Sequence, residues 1–164
     1  MTELRSPQFG AILYRATELI SAQGAEVFDR LGISLHANKI SIVLAINAKG
    51  AMSSTEISRH IGISRQLIES RLKGSVDDGF FSQRPDPNDS RKKIYDIADA
   101  FKAEADRIVS IMKDFEEVYA ELWEEIGVDL EEGVKMMEKA LSRTSLEHRL
   151  CRAFPEYSGQ MTSD

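Results

Sequence analysis

Between Ser53 and Ile97 the chain carries helix starts and stops so closely spaced that only short elements fit between them. Ser53 followed three residues later by Glu56 is the capping-box pattern, in which a hydroxyl and a carboxylate satisfy backbone N–H groups that the first helical turn leaves unpaired. Gly62 closes that helix after His60, and Ser64 can cap another that runs to about Asp78, where Gly79 supplies the terminating position. Phe80 and Phe81 then open a strand, Pro85 to Asp89 form a turn-rich tip, and Lys93 to Ile97 read as the returning strand. Two short helices across a tight turn, followed by a β-hairpin, constrain everything built around them.

The flanking segments are helical. Phe9, Leu13, Ala16, Ile20, Val27 and Leu31 recur mostly at three- and four-residue intervals, one apolar stripe of a helix ending near Gly32. Ser34 is placed to cap a second helix through Lys49, which is apolar on several faces and therefore expected inside the fold. After the hairpin, Phe101, Ala105, Ile108, Met112, Phe115, Tyr119, Leu122 and Ile126 alternate steps of four and three, the signature of a long heptad-like helix. Gly127 ends it. Asp129 caps a shorter helix bearing Leu130, Val134, Met137 and Leu141, and the tail from about Arg149 is expected to be loose. With no repeat array or Gly/Ser linker, residues 1–164 read as one mainly α domain: 34–98 at the centre, helices in 8–33 and 99–148, and a tail in 149–164.

Composition excludes several function classes. The longest apolar run, Ile40 to Ile46, contains Ser41 and falls far short of the roughly 20 residues that cross a bilayer. The first residues lack the basic start and apolar stretch of a secretory signal, so the expected compartment is the cytoplasm. Cys151 is the single cysteine, which rules out an intrachain disulfide. His36, His60 and His148 are scattered, Asp77 and Asp78 point to different helix faces, and no glycine-rich phosphate loop or G-x-S-x-G elbow is present. Trp123, Met112, Met136 and Met137 sit at helical positions that suit packing. The expectation is a protein without catalytic activity, cofactor or metal.

Charge singles out the middle of the chain as its only net basic part, a modest excess that argues for a polyanionic partner only if the basic groups share a face. The formal net charge is −6, yet residues 49–97 hold nine basic and seven acidic side chains, whereas residues 98–164 hold eight and sixteen. A helix, turn, helix and hairpin in this order is a winged helix-turn-helix, which lays its last short helix in the major groove of DNA. In SRQLIESRLK, residues 64–73, Leu67, Ile68 and Leu72 can face inward, leaving Ser64, Arg65, Gln66, Glu69, Ser70, Arg71 and Lys73 on the wet or DNA-facing surface. Arg65 and Gln66 are the leading base readers, since Arg pairs with guanine and Gln with adenine in bidentate fashion. Arg71, Lys73 and the hydroxyls suit phosphates. In the hairpin, Arg84, Arg91, Lys92 and Lys93 add cations that can reach phosphate or the minor groove, and Asp89 is spaced to hold Arg91 in a fixed pose.

At these residues the sequence resembles the MarR family of regulators. GFFSQRPDPNDSRKK is similar to that family's wing, with a glycine, two apolar residues, an arginine, then DP and D-x-R, and the match extends back through GISRQ. The helix order is similar across about residues 9 to 148. The resemblance implies a homodimer on a pseudopalindromic DNA operator, usually acting as a repressor and released by a small, often phenolic, effector whose site is unknown here. It carries the wing arginine onto Arg91 and the start of the recognition helix onto Ser64, Arg65 and Gln66. Ser75 stands where the family commonly has leucine, and Gly74 inside the helix costs roughly 1 kcal/mol relative to alanine, so a bend is expected there.

A dimer also follows from the residues, because over three heptads of apolar positions exceed what a small winged domain covers. The expected interface uses Phe9 and Leu13 from the first helix, Phe101, Ile108, Met112, Phe115 and Leu122 from the long helix, and Val134 and Leu141 from the last. Such a dimer presents two recognition helices about 34 to 36 Å apart, one turn of DNA. The rival reading is a winged-helix protein-interaction module without strong DNA affinity. Salt dependence separates the two, since counterion release makes DNA binding weaken steeply as salt rises.

Overall fold

The computed structural model describes residues 8–159, which form two compact units adjoining in sequence at Lys113 and Asp114. In the first unit, α1 (Phe9–Arg30) leads to α2 (Ile40–Lys49), α3 (Ser54–Ile61) and α4 (Arg65–Asp77). Strands β1 (Met52–Ser53), β2 (Phe81–Pro85) and β3 (Lys93–Ile97) make an antiparallel sheet in the order β1-β3-β2, and α5 (Lys102–Ile126) follows. The β2–β3 ladder runs from Phe81 opposite Ile97 to Pro85 opposite Lys93. The sequence reading missed β1. It is two residues long, too short for any alternation to show, and it exists because Met52 and Ser53 pair with Tyr95 and Ile94.

Local capping explains most boundaries. The Ser53 N–H and Oγ donate to Glu56 Oε2 at 2.8 and 2.6 Å, and the Glu56 N–H donates back to Ser53 Oγ at 3.3 Å, completing the expected box at the start of α3. Ser64 Oγ accepts the Leu67 N–H at the start of α4. At the far end of α4, Gly79 takes φ +80°, so that the Gly79 and Phe80 N–H groups reach back to the Val76 and Ser75 carbonyls. α4 runs as one continuous helix through Gly74. Ser75 is fully buried, and its Oγ donates to the Arg71 carbonyl at 3.3 Å, which removes the cost of an unpaired hydroxyl in the core.

Ser34 does not cap a helix. Its N–H and Oγ donate to Glu104 Oε1 at 2.6 and 2.9 Å, joined by the Leu35 N–H at 3.3 Å. A carboxylate 70 residues away in sequence takes the donors that local patterning assigned to a cap. The chain instead enters α2 through one 3-10 turn, Ala37–Lys39, with His36 Nδ1 accepting the Asn38 N–H.

The core of this unit joins Ile42, Val43 and Ile46 of α2 to Ile57, Ile68 and Leu72 of the two short helices and to Phe81 of the sheet. Phe80 lies edge-on to Phe81 at 5.2 Å and tilted on Phe101 at 4.9 Å. Ala105 and Ile108 from the start of α5 are buried in the same cluster, with Phe101 and Met112 half-buried against it. Ile108, expected at a dimer interface, is wholly enclosed within its own chain. Leu67, expected to face inward, is 42% exposed. One residue before Ile68, it falls outside the arc that α4 turns to the core.

In the second unit, Phe115, Tyr119 and Trp123 stack along α5 with successive centroids 6.1 and 5.7 Å apart. α5 ends at Gly127, φ +69°, and Asp129 Oδ1 accepts the Glu132 N–H to start α6 (Leu130–Arg143). The segment expected to be a loose tail is ordered through Gly159: α7 (Leu146–Ala153) is capped by Ser145, which accepts the His148 N–H, and a 3-10 turn spans Pro155–Tyr157. Arg149 secures it by donating to the Thr144 and Ala140 carbonyls. Residues 160–164 of the predicted tail lie outside the described residues. Of the remaining expected interface residues, Phe9 and Leu141 are exposed, and Leu13, Phe115, Leu122 and Val134 are half-buried. Among the described residues, no helix is long and apolar enough to cross a membrane.

Candidate nucleic-acid interface

The turn between α3 and α4 is built to deliver the start of α4 to the surface. Gly62 adopts φ +83°, a left-handed conformation that would strain any side-chain-bearing residue, and its N–H bonds to the Ser58 carbonyl at 2.9 Å. Ser58 Oγ donates across the turn to the Ile63 carbonyl at 2.6 Å. Ile68, Leu72 and Ser75 then anchor one face of α4. Ser64, Arg65, Gln66, Ser70 and Lys73 are all exposed on the remaining surface, as the sequence pattern required.

Two members of the expected set are partly engaged inside the protein. Glu69 Oε1 accepts from Arg65 Nε at 2.8 Å and from Ser54 Oγ at 3.0 Å, and these bonds, the Arg65 one foremost, hold its carboxyl below the usual carboxylate range. Arg71 is half-buried, and among the described residues its Nε is enclosed without an acceptor. What Arg71 can offer a phosphate is therefore confined to its terminal amino groups.

The hairpin tip is locked by its own short-range bonds. The Asp86 N–H reaches the Lys92 carbonyl at 3.0 Å, the Lys92 N–H reaches the Asp89 carbonyl at 2.8 Å, and Asp86 Oδ1 accepts the Asn88 N–H. Asp89 does hold Arg91: Nε donates to Oδ1 at 3.0 Å, Nη2 to Oδ2 at 3.4 Å, and the Arg91 N–H to Oδ1 at 3.2 Å. The Asp89 side chain is only 25% exposed while that of Arg91 is 89% exposed, so a seated carboxylate steers a projecting guanidinium. That interaction lowers the Asp89 carboxyl, with the Arg91 side chain as the largest cause and Lys92, 3.9 Å away, adding charge.

Strand alternation divides the other wing cations. Lys93, Tyr95 and Gln83 share a groove of about 470 Å³ with Glu69, Lys73, Val76 and Asp77 of α4. Arg84, one residue from Gln83 and paired with Ile94, emerges on the opposite face of the hairpin. The expected basic set is thus split, with Lys73 and Lys93 together beside the recognition helix and Arg84 apart. Burial pushes the Tyr95 hydroxyl up, and the nearby charge of Glu69 pushes it further.

Sequence reasoning missed a second basic edge. Lys49, Arg59 and His60 border a shallow cavity of about 490 Å³ together with Met52 and Glu56. The Ser53 hydroxyl and backbone N–H hold the Glu56 carboxyl low, and the positive charges of Arg59 and Lys92 act on it as well. α3 and the wing therefore bring cations to one carboxylate. The signal was present in the charges of Arg59 and Lys92, but that Lys92 acts on Glu56 shows only once β1 pairs with β3 and sets Ser53 opposite Ile94. Among the described residues, no group of three or more His, Cys, Asp or Glu side chains is arranged to hold a metal.

No sequence-family model and no curated protein sequence matches the chain. Solved structures do. The chain is similar to the transcriptional repressor CouR bound to a 23-mer DNA duplex, at 21% identity and a TM-score of 0.61, with 86% of this chain and 99% of that one covered. It is similar to a MarR mutant from E. coli complexed with operator DNA, at 15% identity and a TM-score of 0.63, over 88% and 99% of the two chains. The PcaV transcriptional regulator from Streptomyces coelicolor, in complex with its natural ligand, aligns at 12% identity and a TM-score of 0.60 over 89% and 99%. At these identities the likeness concerns architecture, and the chain has the winged-helix fold found in the solved MarR, CouR and PcaV regulators.

Proposed function

We propose that this chain is a sequence-specific DNA-binding transcriptional regulator, a homodimer that represses from a pseudopalindromic operator. The observation that carries the reading is the pairing of an exposed polar α4 start, Arg65 and Gln66, with a wing whose Arg91 is held out into solvent by Asp89. Direct readout needs donors and acceptors on a helix small enough for the major groove, and phosphate or minor-groove contact needs a projecting cation. Residues 34–98 supply the DNA-binding part, and the helices in 8–33 and 99–148 supply dimerisation within a single functional domain. The acidic C-terminal third acts as a solvated scaffold.

The structures of CouR and MarR bound to DNA support the first half of this reading, and PcaV, solved with its natural ligand, supports an effector; its small aromatic character and its role in release rest on the sequence resemblance. The test is fluorescence polarisation with the duplex adjoining its own coding sequence, at two salt concentrations, against an unrelated competitor duplex. Tight binding that survives competitor and weakens with salt is expected. Binding to no duplex, with selective capture of a protein partner instead, would favour the interaction-module reading. A screen of aromatic acids that alters neither thermal stability nor operator affinity would remove the effector.

A further inference from the structure

Arg65 and Glu69 are four residues apart on an exposed helix face, a spacing at which ion pairs are usually loose and exchange with water. This pair has a third member. Glu69 Oε1, the oxygen that accepts Arg65 Nε at 2.8 Å, also accepts Ser54 Oγ at 3.0 Å, and Ser54 is buried at the first position of α3. The hydroxyl therefore belongs to a different helix and has a fixed place. A carboxylate held from two sides confines the guanidinium it grips. Because Arg65 is held by Nε, its two terminal amino groups make no bond within the chain among the described residues. Those two groups form the fork that matches the O6 and N7 acceptors of guanine.

We propose that Glu69 is a positioning residue for base readout: anchored by Ser54, it grips Arg65 at Nε so that the terminal amino groups are presented to a guanine. Glu69 itself does not touch DNA, where its charge would face phosphates of the same sign. The proposal rests on the DNA-binding reading above. It assigns specificity to a contact between α3 and α4 and gives Ser54, which no sequence motif singled out, a role in it.

The experiment starts with a randomised duplex pool selected and sequenced with the full-length wild-type chain. The enriched duplex is then labelled, and its guanines are replaced one at a time. The wild type is expected to discriminate against one replacement per half-site by on the order of ten-fold. Glu69→Ala should lose most of that discrimination, Glu69→Gln and Ser54→Ala part of it, and the salt slope should stay as in the wild type. Glu69 is 44% exposed on its side chain, so its variants should fold, and thermal melts would establish this for them and for Ser54→Ala at its buried site. In an Arg65→Ala background, Glu69→Ala should change discrimination no further, a coupling that a purely structural role would not produce. If the variants keep wild-type discrimination, or weaken every duplex equally, the clamp is overturned and the DNA-binding reading stands. If the wild type enriches no sequence, both fall.

Discussion

Arg91 reaches solvent from a turn whose backbone is already tied down, and its usefulness depends on Asp89 restricting where the guanidinium points. Replacing it with alanine should weaken binding to every duplex and lower the salt slope by about one, as expected when one cation leaves the phosphates. Gln66→Ala should instead relax sequence preference and leave the slope in place. Titrations of both variants against operator and unrelated DNA at several salt concentrations would expose equal, salt-independent effects, which neither role allows. The Asp89–Arg91 grip also has a pH signature. Because the folded Asp89 carboxyl lies below its ordinary value of 3.8, the grip is fully present above that value and is lost as pH falls through the lower folded one. Operator affinity should therefore show no Asp89-linked change from neutral to mildly acidic buffer, and an inflection near about pH 6 that disappears in Asp89→Asn would contradict this sign. Residues of this kind were legible in the sequence because D-x-R acts over two positions. Ser54 was not, since its partner Glu69 lies 15 residues away on another helix.

Elements show the same division between local and distant causes. The capping box at Ser53 and the stops at Gly62 and Gly79 could be read directly, because each is decided by residues within one turn of one another, and the hairpin from Phe81 to Ile97 was marked by the turn-rich tip between its strands. The entry to α2 could not, since Glu104 takes the Ser34 and Leu35 donors. Arg107 adds a bond to the Leu31 carbonyl at 2.8 Å, so the start of α5 holds both sides of the loop after α1. Glu104→Ala removes the shared acceptor and should cost about 1–2 kcal/mol, measured by urea denaturation, while leaving the α4 surface untouched. An unchanged midpoint would mean that water replaces the carboxylate without loss. Gly74→Ala should act in the opposite direction. A Cβ there would meet only Lys39 Nζ at 3.7 Å, an ordinary van der Waals contact, and alanine favours the helix by roughly 1 kcal/mol. A destabilised Gly74→Ala would show that α4 needs the glycine for a geometry other than the one seen.

For the molecule as a whole, the distribution of apolar side chains is harder to reconcile with a lone chain than with a pair. In the first unit, α1 buries only Phe28 and leaves Phe9, Ile12, Leu19 and Ile20 exposed. In the second, neither α6 nor α7 has a buried residue, while Met136, Leu146 and Phe154 are largely in solvent. Single exposed leucines are ordinary, but large apolar side chains left exposed along several helices commonly pack on another chain. The heptad pattern of α5 led to the expectation of a dimer, but it could not tell which side of α5 turns inward: Ile108 lies in the unit's own core. A homodimer is the expected solution species, with a mass of twice the 18.4 kDa of one chain by light scattering after size exclusion. Leu19→Glu and Leu146→Glu place charges on these two faces without touching a buried contact. Each should shift the mass toward one chain, and operator affinity should fall with it, because a monomer offers one recognition helix where a symmetric site needs two. A chain that runs as a monomer at every concentration, with both variants binding DNA as the wild type does, would leave those faces to a different partner and reduce the operator to a single half-site.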